Sequence, residues 1–312
     1  MASNEIEIPG STATVVKLMK IAAGRALDRR HFLAALGMTG AVAGAGLVGC
    51  SATSSTAIST NTPGSAQVNV LNFLLNFKYL EATFYASITT GGDLPASSTI
   101  GSGAITGAPG KLTFTGTNAN QITDMLNEIY FDEKSHVTTL LNMLGASAVP
   151  RPAINLGAYA AITATNALSI ARLLEDVGVT AIAGATSGLT SSNLTFMSQM
   201  LGVESFHSGA IRLVSIQNPT IAAYAKADSL DVAPIDLGSA AAAAAGPTAS
   251  GGMFATAGSA TSSATNPAGF AFSRTSSQVL AIAYGTGGAV AASGASSGGF
   301  FPSGVNGVIK TV

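Results

Sequence analysis

The chain has 312 residues, which is enough for one large domain or two small ones. Only 9% of the residues are charged and the net charge is −1, so the sequence lacks the basic surface that a nucleic-acid partner requires. The single cysteine, Cys50, excludes an intramolecular disulfide and a metal site built from cysteines.

Residues 1–50 are predicted to be an export signal. Arg29 and Arg30 precede an uncharged stretch rich in Ala, Gly, Leu and Val, which is the order typical of twin-arginine signals. That stretch ends in LVGC at Cys50, which resembles a bacterial lipobox, in which the cysteine carries lipid. An uncleaved anchor or a buried helix is the alternative, although the run is shorter than the ~20 residues of a membrane span. We therefore expect an exported protein of the cell envelope, in the periplasm or at the cell surface, held to a membrane only through its lipid anchor.

Residues 51–66 are rich in Ser and Thr and are predicted to be a flexible tether. In residues 67–227 apolar side chains recur at helical spacing, and Gly and Pro separate the periodic segments. Four long helices are expected, at about 67–85, 118–144, 157–185 and 191–217, with a long Gly/Ser/Thr-rich loop at 91–117. This pattern predicts an all-α fold, a four-helix bundle.

Residues 228–312 are predicted to form an irregular, low-complexity C-terminal extension rich in Gly, Ala and Ser. A short helix is expected at 275–284. The segment GGFFPSGVNG, at 298–307, is predicted to be an ordered turn whose two aromatic side chains pack on another part of the protein.

Two short motifs in the predicted bundle indicate metal chemistry. After residue 50 the sequence has only two histidines and five glutamates, and each histidine follows a glutamate by three residues. The pairs are Glu133 with His136 and Glu204 with His207. This spacing places both side chains on one face of a helix, one turn apart, so that one metal ion can bind both. A lone Glu-x-x-His is usually a solvated helix face, but here both histidines have it.

The other half of the pattern is a glutamate on each of the remaining helices. Glu81 precedes the first Glu-x-x-His motif and Glu175 precedes the second, each between apolar neighbours. Di-metal carboxylate bundles take one Glu from each of two helices and one Glu-x-x-His from each of the others. Without cations, four carboxylates in a bundle core would repel each other at a high desolvation cost. The sequence therefore predicts a site for two metal ions, iron or manganese.

Several residues next to these candidates have two interpretations. Asp132 and Asp176 could each accept a hydrogen bond from a ligating histidine, but a solvated or capping role is favoured. Tyr85 and Tyr130 each lie one turn from a candidate ligand, and core packing is favoured over a redox role. Glu128 lies off the face of the nearest candidate ligand and is predicted to be solvated.

The chain resembles a known family in the segments LNFLLNFKYLEATFY, EIYFDEKSH, ARLLEDVGVTA and GVESFHSGAIR. They are similar to bacterial ferritin-like proteins related to plant desiccation-related proteins, and GGFFPSGVNG resembles the end of that group. The resemblance covers about residues 67–217 and implies a ferritin-like bundle. It implies Glu81 and Glu175 as terminal ligands and Glu133 and Glu204 as bridging ligands, with one histidine per metal. The chain lacks the Cys-x-x-Cys pair of rubrerythrins, and its long loop and extension do not suit a ferritin cage subunit.

Three functions are compatible with these features. The first is a di-metal oxidoreductase that oxidises iron or reduces oxygen or peroxide in envelope stress protection. The second is a lipid-anchored envelope stress protein whose metals only stabilise the bundle. The third is an adhesion or scaffold protein in which the Glu and His side chains lie on the surface. The sequence leaves the enzyme activity, the substrate, the choice of metal and the oligomeric state open.

Overall fold

The computed structural model describes residues 64–217, 273–286 and 290–312. The predicted export signal, with Arg29, Arg30 and Cys50, lies outside the described residues, as does most of the predicted tether. Within the described ranges, no helix has both the length and the apolar character that a membrane span requires.

Helices form nearly all of the regular structure, which confirms the all-α prediction. Two short parallel strands, β1 (Ile105–Thr106) and β2 (Ile154–Asn155), pair in the loops between the helices. The helices are α1 (Ser65–Thr90), α2 (Ala119–Leu144), α3 (Ala167–Ala185), α4 (Ser191–Gln217) and the short α5 (Ser276–Ala283). α1 packs mainly on α2 and α3 mainly on α4, and contacts of α1 with α3 and of α2 with α4 join the two pairs into a bundle.

Helix α1 has a long buried segment. Every residue from Leu71 to Ile88 is buried, including polar and charged ones, so the helix is covered on all sides. The helix ends at Thr90, and the following Gly91 caps it with a left-handed backbone (φ 80°) and an N–H that donates to the carbonyl oxygen of Ser87. A charged group inside α1 therefore needs a partner within the protein.

Helix α3 begins at Ala167, so the prediction that it begins near residue 157 is wrong. Local hydrogen bonds hold the preceding residues in a loop: Asn166 Oδ1 accepts from the N–H of Thr163 at 2.8 Å, and Asn166 Nδ2 donates to the carbonyl of Ala161 at 2.9 Å. Thr and Asn side chains that bond to nearby backbone compete with helix formation. The apolar periodicity extends further than the helix because part of this loop is also buried.

The described residues of the C-terminal extension pack on the bundle. Phe301 is fully buried, and its ring packs edge-on against Phe77 of α1, with the two ring centroids 5.5 Å apart. The side chain of Asn76 bonds to the backbone of Asn306 through both its amide nitrogen and its oxygen, each at 2.9 Å. The predicted short helix is present as α5, and the predicted packing of the aromatic pair is confirmed.

Candidate metal centre

The structure places all six predicted ligands inside the bundle. Each of the four long helices contributes at least one of them, and every one of the side chains is buried. They are Glu81 on α1, Glu133 and His136 on α2, Glu175 on α3, and Glu204 and His207 on α4. This placement argues against the surface location that a scaffold role would require.

Four of the six side chains form a compact group with metal-ligand chemistry. Glu133, Glu175, Glu204 and His207 each offer one ligand atom, and these atoms lie within 4.8 Å of one another. His207 Nδ1 lies 3.3 Å from Oε1 of Glu133 and 3.3 Å from Oε2 of Glu175, without the alignment of a hydrogen bond. We call these four residues the four-ligand group.

Asp132 fixes the ring of His207. Its Oδ2 lies 3.2 Å from Nε2 of His207, the nitrogen that faces away from the four-ligand group. A carboxylate at that nitrogen orients a ligating imidazole and increases its basicity. Burial lowers the pKa of His207, but Asp132, Glu133 and Glu175 raise it more, so the pKa lies well above its usual range. Of the two interpretations of Asp132, the structure supports hydrogen bonding to a histidine.

Tyr85 contacts the same group from α1. Its hydroxyl donates to Oε1 of Glu175 at 2.6 Å, so the predicted role in core packing is incomplete. Burial, together with the nearby Glu204 and Glu133 carboxylates, raises the pKa of Glu175 to about 7, although His207 lowers it. Near neutral pH this carboxyl group therefore readily takes up or releases a proton.

Lys78 is the residue of the cluster that the sequence analysis missed. Its side chain is 1% exposed, and Nζ lies 2.5 Å from Glu81 Oε2, 2.5 Å from Glu204 Oε1 and 3.2 Å from Glu133 Oε2. Burial alone would lower the pKa of Lys78, but the surrounding carboxylates hold it well above its usual range. A signal was present in the sequence: Lys78 precedes Glu81 by three residues, so both lie on one helix face.

Glu81 and His136 join the cluster on the side of Lys78. His136 Nδ1 lies 2.9 Å from Oε1 of Glu204 and 3.2 Å from Oε1 of Glu133. Burial lowers the pKa of His136, but these two carboxylates raise it to about 9. Burial raises the pKa of Glu81 well above its usual range, although Lys78 opposes the rise. We call Lys78, Glu81 and His136 the lysine side of the cluster.

Gly178 on α3 provides the space for two of these carboxylates. A Cβ atom at this position would lie 2.6 Å from Oε1 of Glu81 and 3.0 Å from Oε2 of Glu204. Contacts below 3 Å would force the carboxylates to move. The glycine stands three residues after Glu175, on the same face of the helix.

The remaining neighbours lie outside the cluster. Asp176 accepts hydrogen bonds from Ser208 and Arg212, so it is neither solvated nor bonded to a histidine. Tyr130 is half-buried, and the ammonium group of Lys134 lies 5.4 Å from the centroid of the Tyr130 ring. Glu128 is exposed, as predicted.

The unpaired atoms of the four-ligand group fit a metal ion. Within the described part of the chain, Glu175 Oε2, Glu204 Oε2 and His207 Nδ1 are buried and have no hydrogen-bond partner. Buried polar atoms without partners are costly, and a bound cation would satisfy all three. Carboxylate oxygens with one imidazole nitrogen suit iron or manganese. The cluster is therefore compatible with metal binding.

Comparison with known proteins agrees with this geometry. Residues 66–217, which include all four long helices except the first residue of α1, match the family described as "Ferritin-like domain". No curated protein matches the chain in sequence.

Proposed function

Because residues 66–217 belong to the ferritin-like domain family, we propose that this protein binds iron or manganese in its buried cluster and uses it in redox chemistry. The expected reactions are oxidation of iron(II) and reduction of oxygen or peroxide. The observation that carries the proposal is the four-ligand group, which draws on three helices and has three unpaired buried atoms, one on α3 and two on α4.

The four-ligand group would hold the metal. Glu133 and Glu204 belong to the four-ligand group and also contact Lys78 on the lysine side. Glu175 from α3 and His207 from α4 complete the group. A bound iron or manganese ion would supply electron transfer to oxygen or peroxide. The predicted second ion would use Glu81 and His136 with the same two shared carboxylates.

Side chains of this protein would control protons and water around the metal. The hydroxyl of Tyr85 donates its proton in a hydrogen bond to Oε1 of Glu175. The pKa of this Glu175 carboxyl group is about 7. Asp132 keeps Nδ1 of His207 directed at the carboxylates. All members of the four-ligand group are 0% exposed, so bulk water is excluded and the charges interact strongly.

The proposed setting is the cell envelope. Arg29, Arg30 and Cys50 support export by the twin-arginine route and attachment through lipid. That route moves folded proteins, so the metal could be bound before export. The mass of Cys50-containing peptides from membrane fractions would test this: unmodified Cys50 would contradict the lipid anchor.

A non-catalytic role is the second candidate, and the complete burial of the four-ligand group favours it. Here the metal would stabilise the bundle by pairing with buried carboxylates, and no substrate would reach it. Loaded protein would then melt at a higher temperature than metal-free protein but would not consume oxygen or peroxide.

Metal content and turnover together test the proposal. The protein is loaded anaerobically with iron(II) or manganese(II), and bound metal and the consumption of oxygen and peroxide are measured. Glu133→Gln removes a shared ligand and should abolish both binding and turnover. Glu128→Gln on the exposed face of α2 is the matched control and should behave as the wild type. Wild-type protein without bound metal would refute the proposal, and bound metal without turnover would select the non-catalytic role.

A further inference from the structure

We propose that the ammonium group of Lys78 takes the place of one of the two cations, so that each chain binds a single metal ion, in the four-ligand group. The inference rests on the proposed function, because it concerns the number of ions in the same site. It changes the two-ion prediction made from the Glu and Glu-x-x-His pattern.

The carboxylate oxygens of the cluster are divided between two positions. Around one position lie Glu81 Oε2, Glu133 Oε2 and Glu204 Oε1, and Nζ of Lys78 is within 3.2 Å of all three. Around the other lie Glu133 Oε1 and Glu175 Oε2, both 3.3 Å from His207 Nδ1. Glu81 Oε2 and Glu204 Oε1 at the first position lack an aligned hydrogen bond, but each lies 2.5 Å from the ammonium group of Lys78. At the second position, Glu175 Oε2 and His207 Nδ1 are buried and unpaired, and the ammonium group lies at the other position.

Charge balance agrees with one ion. The four glutamates can carry four negative charges, and Lys78 supplies one positive charge. The remaining three are balanced by one trivalent ion, or by one divalent ion and a protonated histidine. Two divalent ions beside Lys78 would place three cations in one buried cluster, where repulsion between cations is strong.

On its own helix, Lys78 has no acidic partner other than Glu81. All residues of α1 from Leu71 to Ile88 are buried, and the side chains next to Lys78 in sequence are Phe77 and Tyr79. If a second ion displaced the ammonium group, this buried charge would lose the carboxylates that pair with it, at a high desolvation cost. The fold therefore holds the lysine at the first position.

The experiment counts manganese ions in the full chain and in two lysine variants. Lys78→Met keeps the length of the side chain but removes its charge, and Lys111→Met changes an exposed lysine as the matched control. Each protein is loaded with excess manganese(II) and desalted. Bound manganese is measured by elemental analysis, and electron paramagnetic resonance distinguishes an isolated manganese(II) ion from a spin-coupled pair.

We expect one uncoupled ion in the wild type and in Lys111→Met, and a twofold rise with spin coupling in Lys78→Met. Two ions in the wild type would overturn the inference and leave the proposed function intact. No ion in the wild type would overturn both. One ion in both the wild type and Lys78→Met would show that Lys78 does not exclude the second ion. If Lys78→Met does not fold, Lys78→Gln replaces it, and the wild-type count still decides between one ion and two.

Discussion

The two halves of the cluster have the same sequence pattern but different structures. Each half has a glutamate on one helix and a Glu-x-x-His motif on the next, and each has a cation three residues before the first glutamate: Lys78 before Glu81, and Arg172 before Glu175. Lys78 enters the carboxylate cluster, whereas Arg172 pairs with Asp176 at 3.3 Å. Matching ligand patterns therefore do not ensure that both halves are equally available to metal.

The acidic partner of Arg172 explains the difference. Asp176 lies one turn after Arg172 and also binds Arg212, so Arg172 has an acidic partner outside the four-ligand group. The residue equivalent to Asp176 on α1 is Ala82, which offers no such acceptor. Lys78 consequently relies on the metal-ligand carboxylates for its charge balance.

The largest expected effect comes from removing the charge on the lysine side. In metal-free protein, Lys78→Met leaves three buried carboxylates without their cation, which should cost about 3–5 kcal/mol of unfolding free energy. Thermal unfolding followed by circular dichroism would show a fall in Tm, and added manganese(II) should recover most of it. Lys111→Met should change stability by less than about 0.5 kcal/mol. Equal stability of the two variants would contradict the structural role of Lys78.

The two histidines make the stability of the metal-free protein depend on pH. The pKa of His136 is raised from 6.5 to about 9 in the folded state, so its contribution is complete below pH 6.5 and is lost as the pH rises to 9. Glu175 acts in the same direction, because its raised pKa of about 7 makes ionisation unfavourable between pH 4.5 and 7. We expect His136 alone to lower the stability by ~3 kcal/mol between pH 6.5 and 9, and the raised pKa of His207 adds to this fall. Metal binding requires deprotonated ligands, so the stabilisation by manganese(II) should increase over the same range.

Denaturation by urea at several pH values, with and without manganese(II), measures this dependence. His136→Gln should reduce the fall above pH 6.5 in the metal-free protein, and the remaining slope should come from His207. An unchanged slope in that variant would assign the dependence to other groups.

Glycine substitutions on two helices should have effects of opposite sign. Gly178→Ala places a methyl group against the carboxylates of Glu81 and Glu204 and should destabilise the protein by about 1–3 kcal/mol. It should also weaken metal binding, because Glu204 belongs to the four-ligand group. Gly202→Ala on α4 meets no atom within 4 Å and should stabilise the protein by about 0.5–1 kcal/mol through helix propensity. Chemical denaturation of both variants would test this, and stabilisation by Gly178→Ala would contradict the described packing.

The ligands of the cluster could be predicted from the sequence, but the side chains that pack around them could not. Scarce His and Glu residues at helical spacing predicted which side chains converge, because ligand spacing depends only on the geometry of a helix. The roles of Lys78 and Gly178 depend on neighbours from other helices, and neither residue type signals metal chemistry by itself. The start of α3 was also missed, because Asn166 forms side-chain bonds to backbone that apolar periodicity does not reveal.

The smallest expected loss of stability concerns a tyrosine that links the two halves of the cluster. Tyr85 belongs to α1, but its hydroxyl bonds to Glu175 on α3 and leaves the lysine side untouched. Tyr85→Phe should therefore cost about 1–2 kcal/mol of stability in metal-free protein, because it removes a donor from a buried carboxyl group. Tyr130→Phe, at a half-buried tyrosine, is the control, and its cost in stability should be smaller.

The manganese count of Tyr85→Phe should equal that of the wild type, because the hydroxyl contacts Oε1 of Glu175 and leaves Oε2 available as a ligand. A loss of metal in this variant would show that the tyrosine is needed to hold Glu175 in its ligating position.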